Sequence, residues 1–230
     1  MDKKRIEMYE RIFKNHVATV KQLNEETQIL TFKRPDSIMW STEFIFRKNL
    51  VFISGDTGWA VFSTTWHPVW NYDWGKISPS YFAEKCKAFF QDKFVLDQEK
   101  AKSDITDNII DTLNCYDYNE RESKRLAKEV IKLAEKYDDW DSVEDFKIFT
   151  RKDRENVLKA SFIILNAIYS SNTINDWIAK IQENEDFSDC RDTFYDNGLY
   201  SIGTCLHRQF EMWIFELRKA KEQLQNKNTL

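Results

Sequence analysis

The sequence predicts an α+β fold, an N-terminal antiparallel β-meander with flanking helices followed by a mostly α-helical C-terminal part. Three observations predict it. Runs of β-branched and aromatic residues crowd the segment from Thr27 to Trp66, with turn residues between them. Beyond residue 95, apolar residues recur three and four apart, the spacing of a helix that buries one face. Glycine (5) and proline (3) are scarce while hydrophobic residues make up 42%, which suits a helix-rich core and argues against disorder.

The chain opens with MDKKRIEMYERIFKNHVATVKQL, in which Ile6, Tyr9, Ile12 and Phe13 fall at helical spacing. Strands are expected at QILTFKRP, SIMWSTEFIFRK, LVFIS and WAVFSTTW, three or four in sequence order. Lys33-Arg34-Pro35-Asp36, Lys48-Asn49 and Gly55-Asp56-Thr57-Gly58 supply the turns. After His67-Pro68 an aromatic loop runs to Gly75. Ser78-Pro79 then opens a helix, serine as N-cap and proline at the first helical position, through SYFAEKCKAFFQDKF.

The remainder reads as helices. Thr106 to Leu113 carries Ile109, Ile110 and Leu113. Asn119 caps a helix with Glu122 at its third position, a capping box, followed by LAKEVIKLAEKY. A short segment from Asp141 to Phe149 precedes KDRENVLKASFIILNAIY, the most apolar helix of the chain. Another helix starts at Thr173-Ile174, DNGLYSIG reads as a loop, and TCLHRQFEMWIFELRKAKEQL closes the chain as an amphipathic helix. The expected division is an α+β unit over residues 1–95 and a helical unit over residues 96–230.

Charge narrows the function classes. Lys and Arg total 34 against 38 Asp and Glu, a net charge of −4, which gives no global attraction to nucleic acid or anionic membranes and is too mild for a DNA mimic. Cys86, Cys115, Cys190 and Cys205 are scattered without a C-x-x-C pair, and His16, His67 and His207 match no zinc spacing. The N-terminus lacks an apolar signal core, and no stretch of 18 apolar residues occurs. A cytoplasmic protein with reduced, mostly buried thiols is expected, with no cofactor and no metal.

The chemistry-bearing residues concentrate between Leu50 and Ser78, which holds four of the eight tryptophans beside only Asp56, Asp73 and Lys76 as charged residues. The turn at Gly55–Gly58 offers backbone N–H groups to an anion, but the lysine and helix of a phosphate loop are missing and a strand follows, so a hairpin is the plainer reading. Trp59 alternates with Val61 and reads as core. Trp66, Trp70, Tyr72 and Trp74 divide between core and protein interface, because indole rings anchor interfaces and this stretch has no basic residue to accompany base stacking. The expected partner-binding set is Asp56, Trp66, His67, Trp70, Tyr72, Asp73 and Trp74.

Two other classes stay in view. A nucleic-acid-binding or processing protein would set Lys85, Lys87, Arg121, Lys124 and Arg125 against phosphates. A small-molecule enzyme would join Asp56 to His67, although nothing in the sequence fixes a nucleophile there. The acidic runs Asp138, Asp139, Asp141, Glu144, Asp145 and Glu183, Glu185, Asp186, Asp189, Asp192 lack any metal-loop pattern and read as solvated helix ends.

The string GDTGWAVF, followed by YFAEKC at Tyr81 to Cys86, resembles a group of accessory proteins from bacteriophages, prophages and plasmids, in which G-D-x-G-x-A-V-[FY] precedes an aromatic-F-A-x-K-C segment. The resemblance spans Trp40 to Cys86 only. By analogy with accessory phage proteins lacking enzymatic motifs, it implies a non-enzymatic inhibitor of host defence, of the anti-CRISPR or anti-Gabija type. The implied partner is a host defence protein, a nuclease or CRISPR effector, met in the host cytoplasm. Self-association through the closing helix is a further expectation.

Overall fold

The computed structural model describes residues 3–115, 118–138, 152–190 and 199–227. The fold is α+β, a six-stranded antiparallel sheet with flanking helices and a helical remainder. The chain divides into two compact units, Met1–Lys93 with Leu206–Leu230, and Phe94–Cys205.

In the first unit, helix α1 (Lys3–Ile12) leads into strands β1 (Val17–Asn24), β2 (Thr27–Lys33), β3 (Thr42–Arg47), β4 (Leu50–Gly55) and β5 (Ala60–Ser63). A 3₁₀ turn (Trp74–Lys76) and helix α2 (Pro79–Glu84) precede strand β6 (Cys86–Phe89). The strands pair in chain order, β1 to β6, so the meander is real and longer than expected. Two of its strands lie where the sequence pattern reads as helix. Val17-Ala18-Thr19-Val20 is β-branched apart from one alanine, and that costs a helix rotamer freedom while it suits a pleated surface. Helix α2 begins as anticipated, with the Ser78 hydroxyl accepting from the Tyr81 N–H at 3.1 Å and Pro79 at its first position. It stops at Glu84 because the open edge of β5 takes Cys86–Phe89 as a partner strand, a tertiary gain that helical spacing cannot report.

One face of the sheet carries Ala18, Leu30, Phe32, Phe44, Phe46, Val51, Ile53, Ala60 and Phe62, all buried. The closing helix of the chain (Arg208–Lys227) is part of this core through Phe210, Trp213, Leu217 and Ala220. Phe62 stacks on Phe82 at 3.9 Å, and the edge of Trp213 meets Phe62 at 6.1 Å. The closing helix therefore belongs to the first unit, which corrects the expected division at residue 95. Its apolar stripe announces that a face is buried, not what it is buried against. Residues Met212 to Leu217 of this helix are all buried within the protomer.

The second unit holds a short strand β7 (Phe94–Leu96) and helices α3 (Gln98–Asn114), α4 (Glu120–Ala134), α5 (Lys152–Tyr169), α6 (Ile174–Glu183) and α7 (Glu185–Cys190). Strand β8 (Thr204–Leu206) pairs with β7, so the closing helix α8 starts at Arg208 and not at Thr204. The Asn119 cap holds as read, accepting from the Glu122 N–H at 2.9 Å, and Thr173 caps the next helix by accepting from the Asp176 N–H at 3.1 Å. Ile105, Ile109, Leu126, Val130, Ile164 and Trp177 form the centre of this core. The segment from Asp141 to Phe149 lies outside the described residues.

Candidate functional site

Strand β4 separates the expected partner-binding residues into two groups. Asp56 sits beyond its C-terminal end, in the turn before β5, where the Gly58 N–H donates to the Gly55 carbonyl at 3.1 Å. The aromatic loop starts at the other end of the sheet, where Thr64 Oγ1 donates to the Asn49 carbonyl at 3.0 Å. The 6-residue strand between them spans about 20 Å at ~3.3 Å per residue. Asp56 and His67 thus cannot act on one substrate atom, and the acid–base pairing considered for them is overturned.

The aromatic loop is mostly built into the first unit. Trp74 is 0% exposed, its ring 6.0 Å from both Phe46 and Phe82, its Nε1–H donating to the Val69 carbonyl at 3.2 Å. That corrects its expected place in a docking face: the 3₁₀ turn at Trp74–Lys76 points the indole inward. Trp66 is half-buried between the rings of Tyr72 and Tyr81, at 5.5 and 5.7 Å. The Lys85 ammonium lies over the Tyr81 ring, 4.5 Å from its centroid. Trp70 and Tyr72 are half-buried against the core, while His67 and Asp73 are exposed. Asp73 pairs with Lys76 at 3.0 Å, and this lysine holds its carboxyl below the usual carboxylate range.

Four of the large apolar side chains that face solvent lie at the opposite end, beside Asp56. Ile38 is 83% exposed, Met39 59%, Trp40 38% and Trp59 52%. The register explains why they share one end: Thr42 pairs with Gly55, so the β2–β3 loop and the β4–β5 turn leave the sheet together. The Asp56 carboxylate accepts from the Trp40 N–H at 2.7 Å, and the Asp56 N–H donates to the Ser41 carbonyl at 2.9 Å. Trp40 has φ 59°, a left-handed conformation that a bulky residue adopts only where neighbours hold it. Trp59, read as core, is exposed. It precedes Ala60, which turns inward, so alternation puts the indole with Val61 on the outer face. The sequence signal for this tip is the run Ile38-Met39-Trp40, which breaks strand alternation directly after a turn at Pro35-Asp36.

Other candidates resolve differently. The basic set divides between the units: Lys85 and Lys87 in the first, Arg121, Lys124 and Arg125 in the second. Arg125 pairs with Glu129 at 2.7 Å and Lys124 with Glu120 at 2.5 Å, so these cations are partly neutralised on their own helix. A cavity of about 670 Å³ in the second unit is lined by Lys102, Glu135, Asn166, Tyr169, Lys180 and Asp186 among others. Its cations are engaged: Lys102 bridges Glu99 and Glu135 at 2.9 and 2.7 Å, and Lys180 meets Asp176 at 3.3 Å. Among the described residues, no three of His, Cys, Asp and Glu gather as a metal site. Most of the acidic run at 138–145, and Asp192, lie outside the described residues. Cys86 is buried, which pushes its thiol up, Cys205 is half-buried, and Cys115 is exposed, against the expectation of mostly buried thiols. Among the described residues no helix is long and apolar enough to cross a membrane.

Comparison with known proteins places nothing beside this chain: no family model, curated protein or solved structure matches it.

Proposed function

We propose that the protein works by binding another protein, without catalysis, through the apolar tip formed by Ile38, Met39, Trp40 and Trp59. In the narrower form implied by the resemblance of its GDTGWAVF and YFAEKC strings, it is a phage or mobile-element protein that occupies and inhibits a bacterial defence complex in the host cytoplasm. The observation that carries the reading is the tip itself. Four large apolar side chains stand in solvent at one sheet end, and a charged group, Asp56, is used to fix the backbone beneath them. Exposed apolar clusters on a fixed backbone favour association, because little chain entropy is lost when they are covered.

The test is capture of partners by the tagged full chain from a defended bacterial host, paired with a plaque assay. Wild type is expected to retain a defence component and restore plaquing, and a Trp40→Ala, Trp59→Ala double variant to lose both while keeping its melting temperature. Equal capture by the variant would remove the tip from the mechanism. Capture without restored plaquing would leave a binding protein that is no antagonist of defence.

A further inference from the structure

Trp40, at the tip, is held at both ends of its backbone. The Asp56 carboxylate accepts its N–H, and on the other side its carbonyl lies 3.2 Å from Nε2 of His16. A carbonyl oxygen only accepts, so Nε2 carries the ring proton and Nδ1 is the bare nitrogen. His16 is 3% exposed, and its Nδ1 is buried without a hydrogen-bond partner. The Phe13 ring meets the imidazole edge to face at 5.0 Å, and the Phe32 ring lies at 5.3 Å. The backbone of His16 is fixed separately. Its carbonyl accepts from Gln223 Nε2 on α8 at 2.8 Å, and its N–H donates to the Phe13 carbonyl at 3.0 Å. A change at the ring therefore need not move the chain that carries it.

This site resists protonation. A second ring proton, on Nδ1, would be a buried donor facing no acceptor, and its charge would be taken out of water. Helix α1 and strand β2 present phenyl rings, α8 presents the neutral amide of Gln223, and the β2–β3 loop presents Arg34, a like charge. Burial is the largest influence and lowers the imidazole pKa below its ordinary 6.5; the Trp40 carbonyl opposes this, Arg34 reinforces it, and the Met39 carbonyl opposes it least. A state with the ring in water thus takes up a proton that the closed state refuses, and the closed state loses ground as pH falls through 6.5. Glu216 on α8 acts in the opposite direction, since its pKa is raised and its contribution to stability grows as pH falls.

We propose that His16 is a pH-sensitive latch on the apolar tip. Neutral, it donates its Nε2–H to the Trp40 carbonyl and keeps the loop in its left-handed turn. Once a proton from solvent adds to Nδ1, the ring leaves its aromatic site for water and the loop at 38–41 opens. The inference rests on the protein-binding reading of the tip and names what regulates it: binding holds at neutral pH and weakens in acid.

The latch is read first without a partner. In the full chain, the ring carbon shifts of His16 are followed by NMR between about pH 7.5 and 5, together with hydrogen exchange at Trp40 and Ser41 corrected for its intrinsic pH dependence. His16 is expected to titrate below 6.5, and the opening constant of both amides to rise as pH falls, by up to about tenfold per pH unit. A His16→Gln variant keeps an N–H for the Trp40 carbonyl and cannot titrate, so its loop exchange is expected to ignore pH over this range. The wild-type titration decides by itself if that variant folds poorly: a His16 midpoint at or above 6.5, or a loop that does not respond to pH, overturns the proposal. An acid response retained in His16→Gln overturns it as well. Partner capture by wild type is expected to fall in acid relative to His16→Gln, and equal capture profiles would remove the control of binding. A pH-insensitive loop with tip-dependent capture intact would sink this inference alone. A working latch on a chain that captures the same partners without Trp40 and Trp59 would sink the tip reading alone.

Discussion

The Asp56 carboxylate accepts the backbone N–H of Trp40 at 2.7 Å, so one turn of the sheet dictates the conformation of the loop beside it. Both residues are exposed, and the bond is worth about 1 kcal/mol at most in stability. Its effect is positional. In an Asp56→Ala variant, hydrogen exchange at Trp40 and Ser41 should accelerate, melting should shift only slightly, and partner capture should weaken. Unchanged protection at Trp40 would mean the loop holds its left-handed turn without this carboxylate.

Two tryptophans of the same stretch should separate by stability. Trp74→Ala removes a fully buried indole and should cost about 3–5 kcal/mol in urea unfolding, whereas Trp59→Ala should stay within about 0.5 kcal/mol. Comparable losses would contradict the burial of one and exposure of the other.

The glycines of the hairpin should differ in a defined order. A Cβ on Gly55, at φ 133°, would lie 2.3 Å from the Ser41 carbonyl oxygen, which is backbone and cannot step aside. On Gly58, at φ 101°, it would meet the Phe90 ring, which can rotate. Both substitutions to alanine should destabilise by about 1–3 kcal/mol from backbone strain, with Gly55→Ala the costlier. A larger loss for Gly58→Ala by thermal unfolding would refute the distinction.

Glu216 gives the first unit a pH dependence. Its carboxyl is completely buried on α8 and its two oxygens accept no hydrogen bond. Burial drives its pKa well above the ordinary carboxylate value of 4.5, and the Thr42 hydroxyl nearby offsets this only in part. The folded protein therefore holds a proton that the unfolded chain releases near pH 4.5. Stability from this group is fully present below that pH and falls by about 1.4 kcal/mol per pH unit above it, until the folded carboxyl itself ionises. Glu216→Gln should flatten that decline, melting higher than wild type at pH 8 and alike at pH 4. Parallel pH profiles for the two proteins would exclude an uncharged Glu216.

How much of the site was legible follows from the kind of signal each residue carries. The hairpin at Gly55–Gly58 could be read, since glycine and aspartate encode the turn where they stand. The exposed tip could not. Ile38-Met39-Trp40 reads as the start of a strand, and contacts distant in sequence, such as the bond from Trp40 to Asp56 sixteen residues along the chain, accompany its folding into a loop.

The sequence by itself determined the α+β class, the chain order of strands β2 to β5, the turns and the caps at Ser78 and Asn119, because each depends on residues within a few positions of one another. Tertiary structure alone decided that Cys86–Phe89 becomes an edge strand, that α8 packs on the first sheet, and that Trp74 is sealed while Trp59 is bare. Those outcomes depend on which face of each element finds a partner. Alternation marks two faces on every strand, and only the helix that covers one of them determines which side chains remain in water.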